Sequence, residues 1–146
     1  SWSHQTAQGK RKYRPSCPAL FVHHHLVLPV LMITKIRINM LPAGLNGDDG
    51  LIRQNFHSAK RVKESLRLLV RSQNIKPIKG KVRVEYIRYS NRLMDWDNAA
   101  ASFKHVGDAL VMEKVIEDDH PKIIRDFIVR QVLSKERYIE IIITKL

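Results

Sequence analysis

Cysteine is almost missing from this chain. Cys17 is the single example, which rules out a disulfide framework and a Cys-based zinc site and fits a reducing, cytoplasmic setting. Acid is scarce as well: 14 Asp and Glu stand against 26 Lys and Arg, giving a formal charge of +12 at pH 7. A surface so short of negative charge attracts polyanions, nucleic acid first among them. Long apolar runs are lacking too. The nearest approach is "ALFVHHHLVLPVLMI", residues 19–33, where His23, His24, His25 and Pro29 interrupt the run. It falls short of the roughly 20 residues that a bilayer-spanning helix needs, and no small-x-small cleavage site follows it, so neither a membrane span nor a secretory signal is expected.

What is present suffices for one domain. A chain of 146 residues with 44% hydrophobic content can bury a single ordinary core. Residues 1–31 carry four Lys/Arg and no acid and read as a poorly ordered extension, with the folded domain running from Met32 to the end. The three adjacent histidines make a poor metal site, because neighbours in extended chain project to opposite sides. No internal repeat or long linker interrupts residues 32–146.

Within that domain "ITKIRINM" alternates as a strand, with Ile33, Ile36 and Ile38 as candidate core residues. "LPAGLNGDDG" at 41–50 is rich in glycine and Asx residues and must be a loop, where Asp48 and Asp49 serve as turn residues and Arg53 follows as a DNA-contact candidate. Ala59, Val62, Leu66, Leu69 and Val70 then recur at helical spacing over about residues 56–72. The remaining surface of that helix bears Lys60, Arg61, Lys63, Arg67 and Arg71 against one acid, Glu64. Such a stripe can follow phosphates, each neutralised phosphate releasing counterions; the alternative is a solvated charged face.

"KVRVEYIRYS" at 81–90 is a second strand, and "KIIRDFIVRQVLSKERYIEIIITKL" reads as a terminal hairpin turning at Leu133–Glu136, with Ile139, Ile141 and Ile143 on its buried side. The order β, α, β, α, β, β predicts an α+β domain with a small mixed or antiparallel sheet and two main helices.

Between the second strand and second helix stands "RLMDWDNAAASFKHVGDAL", residues 92–110. In extended chain Asp95 and Asp97 project to one side, roughly 7 Å apart at Cα, close enough to share a cation. Asp97 or Asn98 serves equally well as a helix N-cap, which needs no metal. Seven helical steps return within about 20° of the start, so Lys104 can share a face with Asp97. Asp108 can pair with Lys104 across one turn. Asp118 and Asp119 then fall in a turn before the third strand, and a carboxylate brought back to the first pair would complete an all-oxygen site suited to Mg²⁺ or Mn²⁺. Trp96, between the two acids, is expected to pack inward rather than stack on a base. His57, His105 and His120 fall on no catalytic spacing and read as structural or surface residues.

"DWDNAAASFKHVGDALVMEKVIEDD", residues 95–119, resembles the Asp-x-Asp-Asn, Phe-Lys, Asp-Ala-Leu and Asp-Asp pattern of the RusA family of Holliday junction resolvases. Element order from about Ile33 to Lys145 is compatible with that family; residues 1–31 lie outside it. The resemblance implies a homodimeric, Mg²⁺-dependent endonuclease that makes paired nicks in four-way DNA junctions, often encoded by phages and prophages. By motif it assigns Asp95, Asp97 and Asp119 to the metal, with Asp118 as a further ligand, and Lys104 to catalysis. Some family members place the lysine one helical turn nearer the first acid, so "AAAS" is an inserted turn here. A different class of function, a non-catalytic nucleic-acid-binding protein of the same fold, would use the same basic helix, as would a nuclease for other branched DNA.

Overall fold

The computed structural model describes residues 31–44 and 56–146; the extension 1–30, its histidines, Asp48, Asp49 and Arg53 lie outside them. Seven elements follow one another: β1 (Ile33–Ile38), α1 (Phe56–Arg71), β2 (Val82–Ser90), α2 (Trp96–Ala101), α3 (Lys104–Met112), β3 (Ile124–Leu133) and β4 (Tyr138–Lys145). The strands form one mixed sheet in the order β1-β4-β2-β3. β4 runs antiparallel to both β1 and β2, and β3 runs parallel to β2. The result is an α+β domain. Among the described residues no helix is long and apolar enough to cross a membrane.

One face of the sheet makes the core. Strand alternation sends Ile36 and Ile38 of β1, Ile139, Ile141 and Ile143 of β4, and Val82, Val84 and Tyr86 of β2 to the same side, where all are buried. Register aligns them in rows: Ile36 lies beside Ile141, Ile141 beside Tyr86, and Tyr86 beside Val129. Leu66 and Val70 of α1 and Val106, Ala109 and Leu110 of α3 close over this face. The other face is mixed: Ile87 is buried there, while the rings of Tyr89 and Tyr138 stack at 4.3 Å and the Arg37 guanidinium lies 3.8 Å above Tyr138.

Three expectations are corrected here. β3 and β4 do not form a hairpin, because β2 lies between them. Pairing the isoleucine face of β4 with the Val/Tyr face of β2 buries both strands, whereas a hairpin would leave one of them at an edge. The connection 134–137 must cross two strand spacings, roughly 9.6 Å, which four residues span easily. Ser134 N donates to Ser90 O at 2.8 Å as it crosses. Ile33 is 55% exposed, since it differs from Ile36 by an odd number of positions and so faces the other side. Leu69 likewise stays at the surface, while Leu66 and Val70, one turn apart, face the core.

The second helix is broken in two, and Ser102 explains the break. In a continuous helix Phe103 N–H would reach Ala99 O. That oxygen instead accepts the Ser102 hydroxyl at 2.6 Å, and Phe103 N donates to Ala100 O at 3.1 Å, a tighter i to i−3 turn. The same hydroxyl lies 2.9 Å from the Tyr86 hydroxyl. Lys104 therefore begins a new helix, α3, at an orientation set by Ser102.

Candidate active site

Asp95 is the N-cap of α2, with φ −59° and ψ 150°, and its side chain makes no capping hydrogen bond. Asp97 sits in the first turn and accepts the Asn98 N–H at 2.9 Å. The extended-chain geometry expected for the pair is thus replaced by a helix start, where residues two apart do not face each other. Both acids are exposed. So is Trp96, at 64%, which overturns its expected inward packing. The chain turns into the helix at Asp95, and Ala99, not Trp96, supplies the buried side of that short helix.

Lys104 is exposed at the first position of α3. It does not pair with Asp108, whose carboxylate lies 3.5 Å from the Lys63 ammonium instead. Asp118 and Asp119 stand exposed in the turn before β3, with Asp118 accepting the Asp119 N–H at 2.7 Å. Asp119 and Lys104 share a cavity of about 260 Å³ with Phe103, Gly107 and Phe127. Asp95 lines a different and larger one of about 600 Å³, beside Asn98, Arg88, Arg92 and Arg137. Gly44 comes so close to Asn98 there that a Cβ would lie 3.2 Å from the Asn98 backbone oxygen.

The carboxylates offer the hard oxygen donors that Mg²⁺ favours. Among the described residues no three His, Cys, Asp or Glu side chains come together as a metal-holding group, and Mg²⁺ is commonly held by one or two carboxylates together with substrate phosphates. Lys104 and Asp119 line the smaller cavity and Asp95 the larger one.

The basic helix also differs from its expected use. Arg67 and Arg71 both bind the Glu113 carboxylate, at 2.9 Å each, and Lys63 pairs with Asp108. Three of the five cations are thus engaged in joining α1 to α3. Hydrogen bonding from Arg71 outweighs burial, and with Arg67 it holds the Glu113 carboxyl down at about 2. Lys60 and Arg61 remain exposed on the N-terminal half of α1. His105 is buried in α3, and burial, followed by the Lys63 charge, lowers its pKa. His120 is exposed and its Nδ1 accepts the Lys122 N–H at 3.1 Å.

Arg88, Arg92 and Arg137 were not visible as a group in the sequence. Arg137 lies far along the chain from the other two and reaches their cavity only because the 134–137 connection crosses the end of β2. No protein-family model matches the chain, and no curated protein matches it.

Proposed function

We propose that this chain is a structure-specific endodeoxyribonuclease that resolves four-way DNA junctions, with Mg²⁺ as cofactor and a homodimer as its working form. The observation that carries the reading is the exposure of Asp95, Asp97, Lys104 and Asp119 around α2 and α3, with Lys104 and Asp119 lining one cavity. A protein of net charge +12 gains little from unpaired acids on a DNA-facing surface unless a divalent cation offsets their repulsion of phosphate. Lys104 offers a positive charge to a phosphodiester that enters the cavity. Exposed Trp96, next to both acids, presents a ring on which a base can stack. A two-fold dimer would offer two such surfaces to the two symmetric strands of a junction.

The same observations leave a second reading, a nucleic-acid-binding protein without catalysis, which the lack of a three-ligand group among the described residues favours. Incubating a labelled four-way junction and a linear duplex of matching sequence with the protein, with and without Mg²⁺, separates the two. The nuclease reading expects Mg²⁺-dependent nicks in the junction alone, and Asp97→Asn that binds but does not cut. Tight binding by the wild type with no nicking at any Mg²⁺ concentration sinks it in favour of the binding protein.

A further inference from the structure

The 600 Å³ cavity beside Asp95 has an electrostatic character that the basic-helix reading does not account for. Its lining includes three arginines, Arg88, Arg92 and Arg137, against one acid, Asp95. Arg88 is the telling member. It lies on the core face of β2, in a row with Ile139 and Gln131, and is only 5% exposed. Its Nη1 donates to Pro42 O at 2.6 Å and approaches the Tyr86 hydroxyl at 3.5 Å. Among the described residues no carboxylate pairs with it.

A guanidinium carries five N–H donors and a charge that is costly to bury without a counter-ion. Held at the floor of an open cavity whose rim carries two more guanidinium groups, it is arranged for an anion. Arg137 is fixed at that rim by donating to Asn91 Oδ1 at 3.2 Å. We propose that this cavity seats a phosphate of the nucleic-acid backbone, which Arg88, Arg92 and Arg137 bind. The identity of the anion as DNA rests on the nuclease reading above. In consequence the backbone is anchored beside the end of β2, and not chiefly along α1, whose Lys63, Arg67 and Arg71 are already engaged.

The test uses binding without catalysis. Anisotropy of a labelled four-way junction in EDTA, over a range of NaCl, is compared for wild type, Arg92→Ala/Arg137→Ala, and Lys60→Ala/Arg61→Ala. Arg92 and Arg137 are exposed, so their loss leaves the core intact. The cavity variant is expected to bind more weakly at every salt, with the slope of log K against log[NaCl] shallower by about 0.9, the value for the one duplex phosphate no longer neutralised. A slope and affinity equal to wild type would overturn the proposal. Competition by inorganic phosphate that equals competition by unlabelled junction, phosphate for phosphate, would overturn the assignment to a polynucleotide. Because no nicking is measured, failure of the nuclease reading and failure of this site give different results.

A second inference rests on the edge of the sheet. β3 is ten residues long and ends the strand order, so among the described residues only one of its edges is paired. Phe127, Val132 and Leu133 are 42%, 41% and 65% exposed. An unpaired edge of that length is a template for another strand. Its charges specify which one: an antiparallel copy of β3 centred on Ile128 sets Asp126 opposite the second copy's Arg130, twice, and Phe127 opposite Val129. Asp126 already pairs with Arg83 and Arg130 with Glu85, so the charges would alternate in sign across the joint. We infer that β3 is the surface through which two copies of this chain join.

Sedimentation equilibrium in the absence of DNA decides this. Wild type is expected to be a dimer. Ile128→Lys and Ile128→Glu, which set like charges against each other on the two-fold axis, are each expected to be monomers, and an equimolar mixture of the two to regain the dimer. Should Ile128→Lys fail to fold by circular dichroism, Arg130→Glu at an exposed position sets like charge against Asp126 and gives the same reading. A monomeric wild type, or variants that stay dimeric alone, would overturn the inference.

Discussion

Replacing Ser102 by Ala tests the link between the broken helix and the site. The hydroxyl is buried, donates to Ala99 O at 2.6 Å and lies 2.9 Å from the Tyr86 hydroxyl. Each hydrogen bond contributes about 1 kcal/mol net, so losing both costs about 2 kcal/mol. Alanine returns about 0.5 kcal/mol through its better helix propensity. The net destabilisation of about 1.5 kcal/mol corresponds to a fall in Tm of about 6 °C for a domain of this size. Freed of the hydroxyl, Ala99 O can accept Phe103 N–H again, and the two short helices can merge, turning Lys104 away from Asp119. The expectation is a lower Tm by circular dichroism with junction nicking reduced more steeply than junction binding. In a double-mutant cycle with Tyr86→Phe, the coupling should be about 1 kcal/mol. An unchanged Tm, or a cycle with no coupling, would refute the role given to Ser102.

Other consequences follow from the same interactions. Glu113 has its folded pKa lowered from 4.5 to about 2 by Arg71 and Arg67. The stability it contributes is therefore complete above pH 4.5 and is lost as pH falls toward 2. Glu113→Gln should flatten the dependence of denaturation midpoint on pH across that window, as urea titrations at several pH values would register. Ile141 is fully buried at the centre of the sheet, and Ile141→Ala should cost about 2 to 5 kcal/mol in chemical denaturation. Trp96→Ala should leave stability within about 0.5 kcal/mol, as for an exposed side chain, while weakening junction binding by about 1 to 3 kcal/mol if the ring stacks on a base; the first part is read by melting and the second by anisotropy.

Local pattern carried much of the fold. The alternation in Ile36, Ile38, Val82, Val84, Tyr86, Ile139, Ile141 and Ile143 marks the core face, and the 3.6-residue repeat marks α1, because both depend on neighbours along the chain. What the pattern could not convey is which strands meet. The runs that became β3 and β4 look like a hairpin, since nothing local shows that β2 can be inserted between them. The break at Ser102 was hidden for a similar reason: a serine inside a helical repeat looks ordinary until Tyr86, sixteen residues earlier, is seen beside it. At the site, the acids and Lys104 were legible as a motif, but the direction of each carboxylate depended on where α2 began. The arginine cavity depends on residues 88, 92 and 137 meeting through the crossing connection, and the engagement of Arg67 and Arg71 depends on Glu113, which follows another helix.

The nuclease reading is tested most directly by mapping the ends produced from a four-way junction at single-nucleotide resolution as Mg²⁺ is raised. It predicts symmetric nicks in two opposing strands, rising with Mg²⁺ and abolished in Asp97→Asn although the junction remains bound. Junction strands left intact by the wild-type protein at saturating binding and at every Mg²⁺ concentration would contradict it.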